Sequence, residues 1–382
     1  MLNRTRVNTL YRWWHSIDKV VLSLVLFMLF LSNIFVVVAS PIVARRIGSN
    51  PNIFIIKNII FSVIGVGILV FFSLFSEKKI ITISFYGFFL FLFLIILTIL
   101  FSTQYKGSKR WLYIFGFSLQ PTEIIKPFFI VMISYILTNL KSKDNLHIII
   151  SLILYIVLSF LLLLQPDIGM LILISGIFIV ALFLIGIEIK YFLGLGLLSI
   201  FLGITLYIVF PHFNKRINTY VNSVFFGGEK SYQIQKSLSA FTYGGLLGKG
   251  PFEGSIKNYI PDAHTDFIFS VIGEEFGSIV CIFIIGLYFY IAIRLISKVI
   301  YLEDNFKYVA ITCLSLQILS QAIINISVTL NLIPTKGMTL PLISYGGSSM
   351  IGTCITFGFL ISLTEKQYES THFDINSLIR MR

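Results

Sequence analysis

Three carboxylates lie in IPDAHTDFIFSVIGEEFG (260–277), at the edge of a long apolar segment. Asp266 directly follows a loop, whereas Glu274 and Glu275 come two turns later, where lipid-facing residues would be expected. On a helix with about 100° per residue, Glu274 lies about 80° and Glu275 about 180° away from Asp266. The three acids therefore do not form a paired-carboxylate site. Asp266 is the acid placed to act as a general base or to hold a divalent cation such as Mg²⁺ or Mn²⁺.

A structural role competes with this chemistry at each acid. Asp266 could cap the next helix or complement its dipole, although Asp262 and Thr265 could serve as caps instead. Acids inside an apolar segment normally face the interior of a helix bundle and need partners. We therefore interpret Glu274 and Glu275 as polar groups in helix packing.

Three further charged residues lie at predicted membrane edges. Glu123 and Lys126 are three positions apart, so each can neutralise the other on one helix face. Asp167 follows Gln165-Pro166 and is a natural cap for the next helix. We interpret all three as structural polar groups.

Two segments combine cations with groups that suit an anionic ligand. Arg110 and Trp111 could anchor the chain at a membrane interface, or hold a phosphate and stack a sugar or isoprenoid. The segment 331–349 is too polar and too rich in Pro and Gly to cross a membrane, and it contains Lys336. Its last residues, 346–349, lead into a helix whose first backbone N–H groups could bind an anion.

The composition indicates which class of protein positions these residues. The chain has 382 residues, 57% of them hydrophobic and 12% charged, and its mean hydropathy is +0.92. Continuous apolar segments of about 20 residues recur along it, and they predict an all-α polytopic membrane protein. A membrane β-barrel is excluded, because its strands would show alternating apolar and polar residues. Its Cys and His residues show no zinc or HExxH spacing, and GGLLGKG (244–250) lacks the Gly spacing and the Ser/Thr of a Walker A loop. We expect no nucleotide, haem, flavin or nucleic acid.

Ten membrane spans are predicted, with a large loop between the seventh and eighth spans. They are 20–40, 53–75, 80–101, 122–140, 146–164, 168–188, 190–210, 265–297, 307–331 and 348–364. The first is long for a signal peptide, so we expect it to be retained. Once the 211–264 loop is set aside, Lys and Arg are more frequent on the side of the termini. The segments 1–19 and 365–382 are therefore predicted to be cytoplasmic, and 211–264 to be periplasmic.

Five segments resemble, in chain order, the signatures of the SEDS proteins of bacterial cell-wall synthesis. They are KGSKRWLYIFGFSLQPTEIIK, LLLQPDIGM, YQIQKSLSAFTYGGLLGKGPFEG, IPDAHTDFIFSVIGEEFG and LIPTKGMTLPLISYGGSS. The resemblance covers the chain from the first span to the last. GPFEG and IPTKGMTLPLISYGGSS look more like the cell-division members of the family than the elongation members.

The resemblance implies a single ten-span SEDS domain over 1–382 that polymerises lipid II at the periplasmic face of the inner membrane, at the division septum. Asp266 matches the essential acid of the family's HTDF motif. Trp111 and Lys336 match the Trp of the family's RW motif and the Lys of its PTKG motif. The other expected substrate-binding residues are Arg110, His264, Ser344, Gly346, Gly347, Ser348 and Ser349. The implied partners are lipid II, undecaprenyl-linked glycan, a class B penicillin-binding transpeptidase and other divisome membrane proteins.

Two other functions fit parts of the pattern. A lipid II flippase would need a polar path across the bundle, for which Glu123, Glu274 and Glu275 are available. A non-catalytic divisome scaffold would tolerate loss of Asp266. The concentration of polar motifs on one face favours a polymerase over a transporter.

Overall fold

The structure of the protein is a computed structural model. It describes residues 11, 13–102, 109–114, 117–139, 146–188, 194, 205, 207–208, 211–226, 228, 230–300 and 303–365. The described helices and strands are α1 (Lys19–Arg46), α2 (Ile53–Ser73), α3 (Glu77–Phe101), β1 (Leu112–Ile114), β2 (Phe117–Leu119), α4 (Pro121–Asn139), α5 (Leu146–Leu164), α6 (Ile168–Leu184), α7 (Pro211–Phe225), α8 (Tyr232–Gly244), a 3-10 turn (Ile256–Tyr259), α9 (Ile268–Val299), α10 (Asn305–Thr329) and α11 (Gly347–Leu363).

The all-α polytopic class is confirmed. Within the described ranges, seven helices (α1–α5, α9 and α10) are long and apolar enough to cross a membrane, and α6 and α11 are shorter apolar helices. The predicted span 190–210 lies almost entirely outside the described residues. The small sheet is one antiparallel hairpin that pairs Leu112 with Leu119.

Helix α4 lies at the centre of the bundle and packs against α3, α5, α6, α10 and α11. Nearly all of its side chains are buried, whereas most residues of α2 and α5 remain outside the protein interior. Close contact with α11 depends on Gly352, because a Cβ at this position would lie 2.4 Å from the backbone oxygen of Glu123. The polar first turn of α4 is thereby held inside the bundle.

A hydrogen bond joins the two ends of the described chain at one end of the bundle, and ion pairs join the start of α1 to α9. Ser16 donates a hydrogen bond to Glu365, and Asp18 caps α1 while pairing with Arg294 (2.9 Å) and Lys298 (2.5 Å) near the end of α9. Burial alone would raise the pKa of Asp18, but hydrogen bonds from Arg294, Lys298 and the Val21 N–H outweigh it and lower the pKa to about 2. The other end of the bundle carries the polar loops.

Helix α9 is interrupted at Gly277, whose backbone is not helical (φ 82°, ψ 174°). The turn after α8 fills the break: the N–H groups of Lys249 and Gly250 donate to the carbonyls of Glu274 and Glu275. A helix break inside a membrane protein is stable only if its peptide groups find partners within the protein. The GGLLGKG segment (244–250) therefore hydrogen-bonds the backbone of α9 at this break.

Candidate functional site

Asp266 lies in a turn and not in a helix. Helix α9 begins at Ile268 after Phe267, and no side chain caps it. The helical angles that separated Asp266 from Glu274 and Glu275 therefore do not apply, because they assumed one continuous helix. The three acids are nevertheless separate, since their surroundings differ.

Asn325 of α10 holds together the two segments that form the site. Its side-chain amide donates to the backbone oxygens of Asp266 (2.9 Å) and Met338 (2.5 Å). One turn earlier, the amide of Gln321 donates to Thr339 O at 3.2 Å. The turn at 260–267 and the segment 331–346 are thus fixed against the same face of α10.

Gly337 brings the second segment to the Asp266 carboxylate, and the neighbouring Lys336 extends towards α6. A Cβ at Gly337 would lie 2.9 Å from Asp266 Oδ2, and a Cβ at Gly169 would lie 3.6 Å from Lys336 Cδ. The Lys336 side chain therefore passes over the first turn of α6. Burial lowers the pKa of Lys336 to about 8, against an opposing effect of Asp167.

Arg110 binds the start of α6. Its guanidinium donates to Gln165 O at 3.2 Å and to Pro166 O, and it lies 3.5 Å from the Asp167 carboxylate. Asp167 in turn caps α6 by accepting from the Met170 N–H at 3.4 Å. Burial raises the pKa of Asp167, while Arg110 acts in the opposite direction.

Arg216 of α7 completes a cluster of three cations. Its guanidinium donates to Thr335 O at 3.0 Å, next to Lys336, and it interacts electrostatically with Arg110 and Asp266. Three cations (Arg110, Arg216 and Lys336) thus share one region with two acids (Asp167 and Asp266). A partly desolvated cluster with excess positive charge can bind a polyanion such as a pyrophosphate.

Two of the predicted substrate-binding residues lie inside the protein. The His264 ring packs against Phe54 (4.5 Å) and Tyr345 (5.3 Å between ring centroids). Burial lowers the pKa of His264 to about 4, so the ring is neutral near pH 7. Ser344 donates to Thr265 O at 2.6 Å and accepts from the Leu340 N–H at 2.8 Å. Both side chains support the Asp266 turn.

The residues before and within the first turn of α11 also make contacts inside the protein. Ser348 accepts from the Gln120 N–H at 2.8 Å, and Ser349 accepts from the Thr339 hydroxyl at 2.6 Å. Gly346 is the N-cap, and a Cβ at Gly347 would lie 2.4 Å from the Phe61 ring. These contacts join the helix start to α2 and to the β2–α4 junction.

Trp111 lies just before β1 and is partly buried. Its carbonyl accepts a hydrogen bond from the Ser102 hydroxyl at 2.8 Å. This hydrogen bond fixes the start of the hairpin, next to Arg110, to the end of α3.

Glu274 and Glu275 bind the loop backbone between α8 and the Asp266 turn. Glu274 accepts from the N–H groups of Ile256 (2.6 Å) and Lys257 (2.7 Å). Glu275 accepts from Gly254 (3.1 Å) and Phe252 and pairs with the buried Lys257 ammonium at 2.5 Å. Their partner is thus a loop, which the helix-packing interpretation did not specify.

Glu123 and Lys126 form a buried pair at 2.5 Å, and Lys126 also donates to Gln321 at 2.6 Å. Because Gln321 binds Thr339 O, this pair supports the segment that carries Lys336. A buried ion pair with further hydrogen bonds is suited to fixing one arrangement of the surrounding helices.

Among the described residues, no group of three or more His, Cys, Asp or Glu could hold a metal ion. Asp266 interacts electrostatically with the cation Arg216. A divalent cation at Asp266 stays a prediction.

Sequence reasoning missed the roles of Asn325 and Arg216. Gln317, Gln321 and Asn325 recur every four residues along an apolar helix, a spacing that predicts a polar stripe on one face. That stripe is the signal that could have indicated Asn325. Arg216 offered no comparable signal, because its position depends on how α7 folds back onto the segment 331–346.

Comparisons with known proteins show the family of the chain. The family model described as cell cycle protein, for FtsW, RodA and SpoVE, matches residues 18–369. The chain belongs to this family. A relative from Caulobacter vibrioides (strain NA1000 / CB15N), named probable peptidoglycan glycosyltransferase FtsW, is 35% identical over 95% of this chain and 93% of its own length. A relative of the same name from Coxiella burnetii (strain RSA 493 / Nine Mile phase I) is 33% identical over 91% of this chain and 96% of its own.

Two solved structures share the fold. A chain of a peptidoglycan synthase complex, solved for the coordination of polymerization and crosslinking, has a TM-score of 0.77 at 21% identity, over 93% of this chain and 99% of that one. The rod shape determining protein RodA of Thermus thermophilus has a TM-score of 0.69 at 22% identity, with the same coverage. At such identities the likeness shows the fold alone.

Proposed function

We propose that this protein is a peptidoglycan glycosyltransferase of cell division, which polymerises lipid II into glycan strands. The observation that carries the proposal is the junction of Asp266 with Arg216 and with the segment that carries Lys336, at the loop-bearing end of a membrane bundle. The names of the relatives from Caulobacter and Coxiella support the same activity. This end of the bundle is assigned to the periplasmic face, with both termini in the cytoplasm.

The reaction transfers a glycan from a lipid pyrophosphate to a sugar hydroxyl. The 4-hydroxyl oxygen of the lipid II acceptor forms a bond to the anomeric carbon of the lipid-linked donor. The bond from that carbon to the pyrophosphate oxygen breaks, and undecaprenyl pyrophosphate leaves. An α-linked donor that gives a β-1,4 product implies inversion, so one displacement with one base is sufficient.

Asp266 is assigned as the general base that accepts the proton of the acceptor hydroxyl. Arg110, Arg216 and Lys336 are assigned to the pyrophosphate, whose negative charge increases as the bond breaks. Cations fixed before the reaction stabilise such charge more effectively than water, which must reorganise. The cluster carries one more positive than negative charge, so the donor pyrophosphate fits its electrostatics.

The segment 331–346 is assigned the task of aligning the base and the cations. Asn325 and Ser344 fix it to the Asp266 turn. Displacing reacting groups by as little as 1 Å can cost about 10²-fold in rate. These buried polar residues therefore act as positioning residues.

Partners and location follow from the same proposal. A division glycosyltransferase works at the septum with other divisome proteins, and a class B transpeptidase cross-links the strands that it makes. The chain with TM-score 0.77 belongs to a complex described as a peptidoglycan synthase for polymerization and crosslinking, which supports such a pairing.

The experiment is polymerisation of lipid II by the purified protein, with and without a class B transpeptidase. We expect glycan chains on a gel, and we expect the vesicle-reconstituted protein to need no nucleotide. Movement of lipid II across vesicles without polymer would support a flippase and contradict the proposal. A chelator titration in the same assay tests whether a divalent cation takes part.

A further inference from the structure

The turn between α8 and Gly250 exposes two leucines. Leu246 is 71% exposed and Leu247 is 81% exposed. Two large aliphatic side chains at the tip of a tight turn are unfavourable in water, because each leaves apolar surface hydrated. The turn itself is held rigidly by backbone hydrogen bonds to α9, so the exposure is a fixed feature of the fold.

Backbone contacts place this turn beside the membrane-crossing part of α9. Ser278 N–H donates to Gly245 O at 3.0 Å, and Ile279 N–H donates to Leu246 O at 3.3 Å. A Cβ at Gly248 would lie 2.2 Å from Glu275 O, and a Cβ at Gly277 would lie 2.2 Å from Leu246 O. Only glycine permits such an approach, so the turn and the helix break fit each other.

The depth of the contact follows from the charges at the far end of α9. Arg294 and Lys298 pair with Asp18 at the start of α1, which marks one membrane interface. A hydrocarbon core of about 30 Å corresponds to about 20 helical residues. The uninterrupted part of α9, from Ser278 to position 293, rises about 22 Å. Ser278 and Ile279 therefore lie about 7 Å inside the opposite boundary of a hydrocarbon core of about 30 Å.

The surface beside the turn is also apolar. Ile279 and Ile282 are 54% and 67% exposed on α9, and Leu246 adjoins Ile279 through its carbonyl. On the other side, Lys249 Nζ lies 4.4 Å from the centroid of the Tyr243 ring. Tyr and Lys are typical of the headgroup level, where an apolar stem meets a polar end.

We propose that the turn 245–248 is immersed in the leaflet on the side of the candidate site, with Leu246 and Leu247 among the acyl chains and Lys249 at the headgroups. The Gly245 and Leu246 carbonyls tolerate this depth because the Ser278 and Ile279 N–H groups of α9 donate to them. The chain continues from this turn to the Glu274–Glu275 contacts and to Asp266. The immersed turn therefore fixes the depth of Asp266 relative to the lipid phosphates. The inference needs only the membrane class of the chain, and not its activity.

The test is depth-dependent quenching in proteoliposomes. A Leu247→Cys variant is labelled with an environment-sensitive fluorophore, and the buried Cys281, Cys313 and Cys354 are replaced by Ala. The bilayer is phosphatidylethanolamine and phosphatidylglycerol carrying acyl-chain nitroxides near the headgroup, and iodide is the aqueous quencher. Ile282→Cys is the lipid-facing control and Glu253→Cys the water-facing control. Leu246→Cys is the second variant if Leu247→Cys does not fold.

We expect the label at 247 to lose fluorescence to the nitroxide lipid, as the label at 282 does, and to resist iodide, unlike the label at 253. Quenching by iodide with no effect of the nitroxide lipid would place the turn in water and overturn the proposal. Protection from both quenchers would place a protein surface over the leucines, such as a second copy of the chain, and would overturn it equally.

Discussion

Asp266 and the pair Glu274–Glu275 are close in sequence, yet the fold uses them in opposite ways. The two glutamates accept hydrogen bonds from backbone N–H groups of one loop and pair with one buried lysine. Asp266 adjoins Gly337, and its electrostatic partner Arg216 comes from α7. Carboxylates held by one loop stabilise that loop. A carboxylate at the junction of several segments, amid surplus cations, is placed to meet a ligand.

The largest expected effect concerns the structural side of this comparison. Glu275→Ala leaves the Lys257 ammonium buried without its 2.5 Å partner, and breaking a buried pair costs about 3–5 kcal/mol. We expect a markedly lower melting temperature in detergent. The double variant Glu275→Leu with Lys257→Met removes both charges and should recover the part of that loss due to the unpaired ammonium, but not the part due to the Gly254 and Phe252 N–H groups. Equal melting of the wild type and Glu275→Ala would refute the structural role.

A smaller effect is expected from moving Asp266 without changing it. A Cβ in Gly337→Ala would lie 2.9 Å from Asp266 Oδ2, so the carboxylate must shift. We expect turnover to fall by about 10–100-fold, because catalytic groups tolerate little displacement, with unchanged melting. Gly176→Ala is the control, since a Cβ there meets no atom within 4 Å. Full activity of Gly337→Ala would show that Asp266 takes no part in the reaction.

The pH dependence tests the cationic part of the cluster. Burial lowers the pKa of Lys336 to about 8, so the side chain is cationic below that pH and loses its charge above it. We expect kcat/KM, which reports the free enzyme, to fall as the pH rises through about 8. Lys336→Arg should keep its charge and remove this fall. A kcat/KM profile that is flat from pH 7 to pH 9, or one that Lys336→Arg leaves unchanged, would show that Lys336 does not bind the pyrophosphate.

The smallest effect is expected at Arg216, which is more exposed than Lys336. Its loss removes one of three cations from the pyrophosphate site, and a charged hydrogen bond contributes about 1.5–3 kcal/mol when partly desolvated. Solvent should reduce that value, so we expect Arg216→Gln to raise KM by about tenfold or less. Lys215→Gln changes the same charge one position away and should leave KM unaffected. Identical KM values for the two variants would argue against a specific role of Arg216.

Much of the fold was predictable because apolar length alone indicates a membrane helix. The break in α9 was not, since Gly277 lies within a continuous apolar run and the break depends on the turn after α8. The polar loops gave the right residue types, and Arg110, Lys336 and Asp266 do lie in one region. Their supports were not predictable, because hydrogen bonds such as those of Asn325 and Ser344 join segments far apart in sequence.

Some residues had two plausible environments in the sequence. His264 was predicted to bind substrate, and the fold buries its ring between Phe54 and Tyr345, so its substrate contact stays a prediction. Asp167 was predicted to cap a helix, and it does accept from the Met170 N–H, but it also pairs with Arg110. Short motifs cannot separate these roles, because burial depends on distant packing.

The central claim is that Asp266 acts in the chemistry while Glu274 and Glu275 stabilise the fold. The most direct test measures lipid II polymerisation by purified Asp266→Asn beside the wild type, with melting temperatures recorded for both. Asn keeps the size of the side chain but cannot accept the hydroxyl proton, so we predict no detectable glycan from a protein that melts like the wild type. Polymerisation by Asp266→Asn at the wild-type rate would contradict the account.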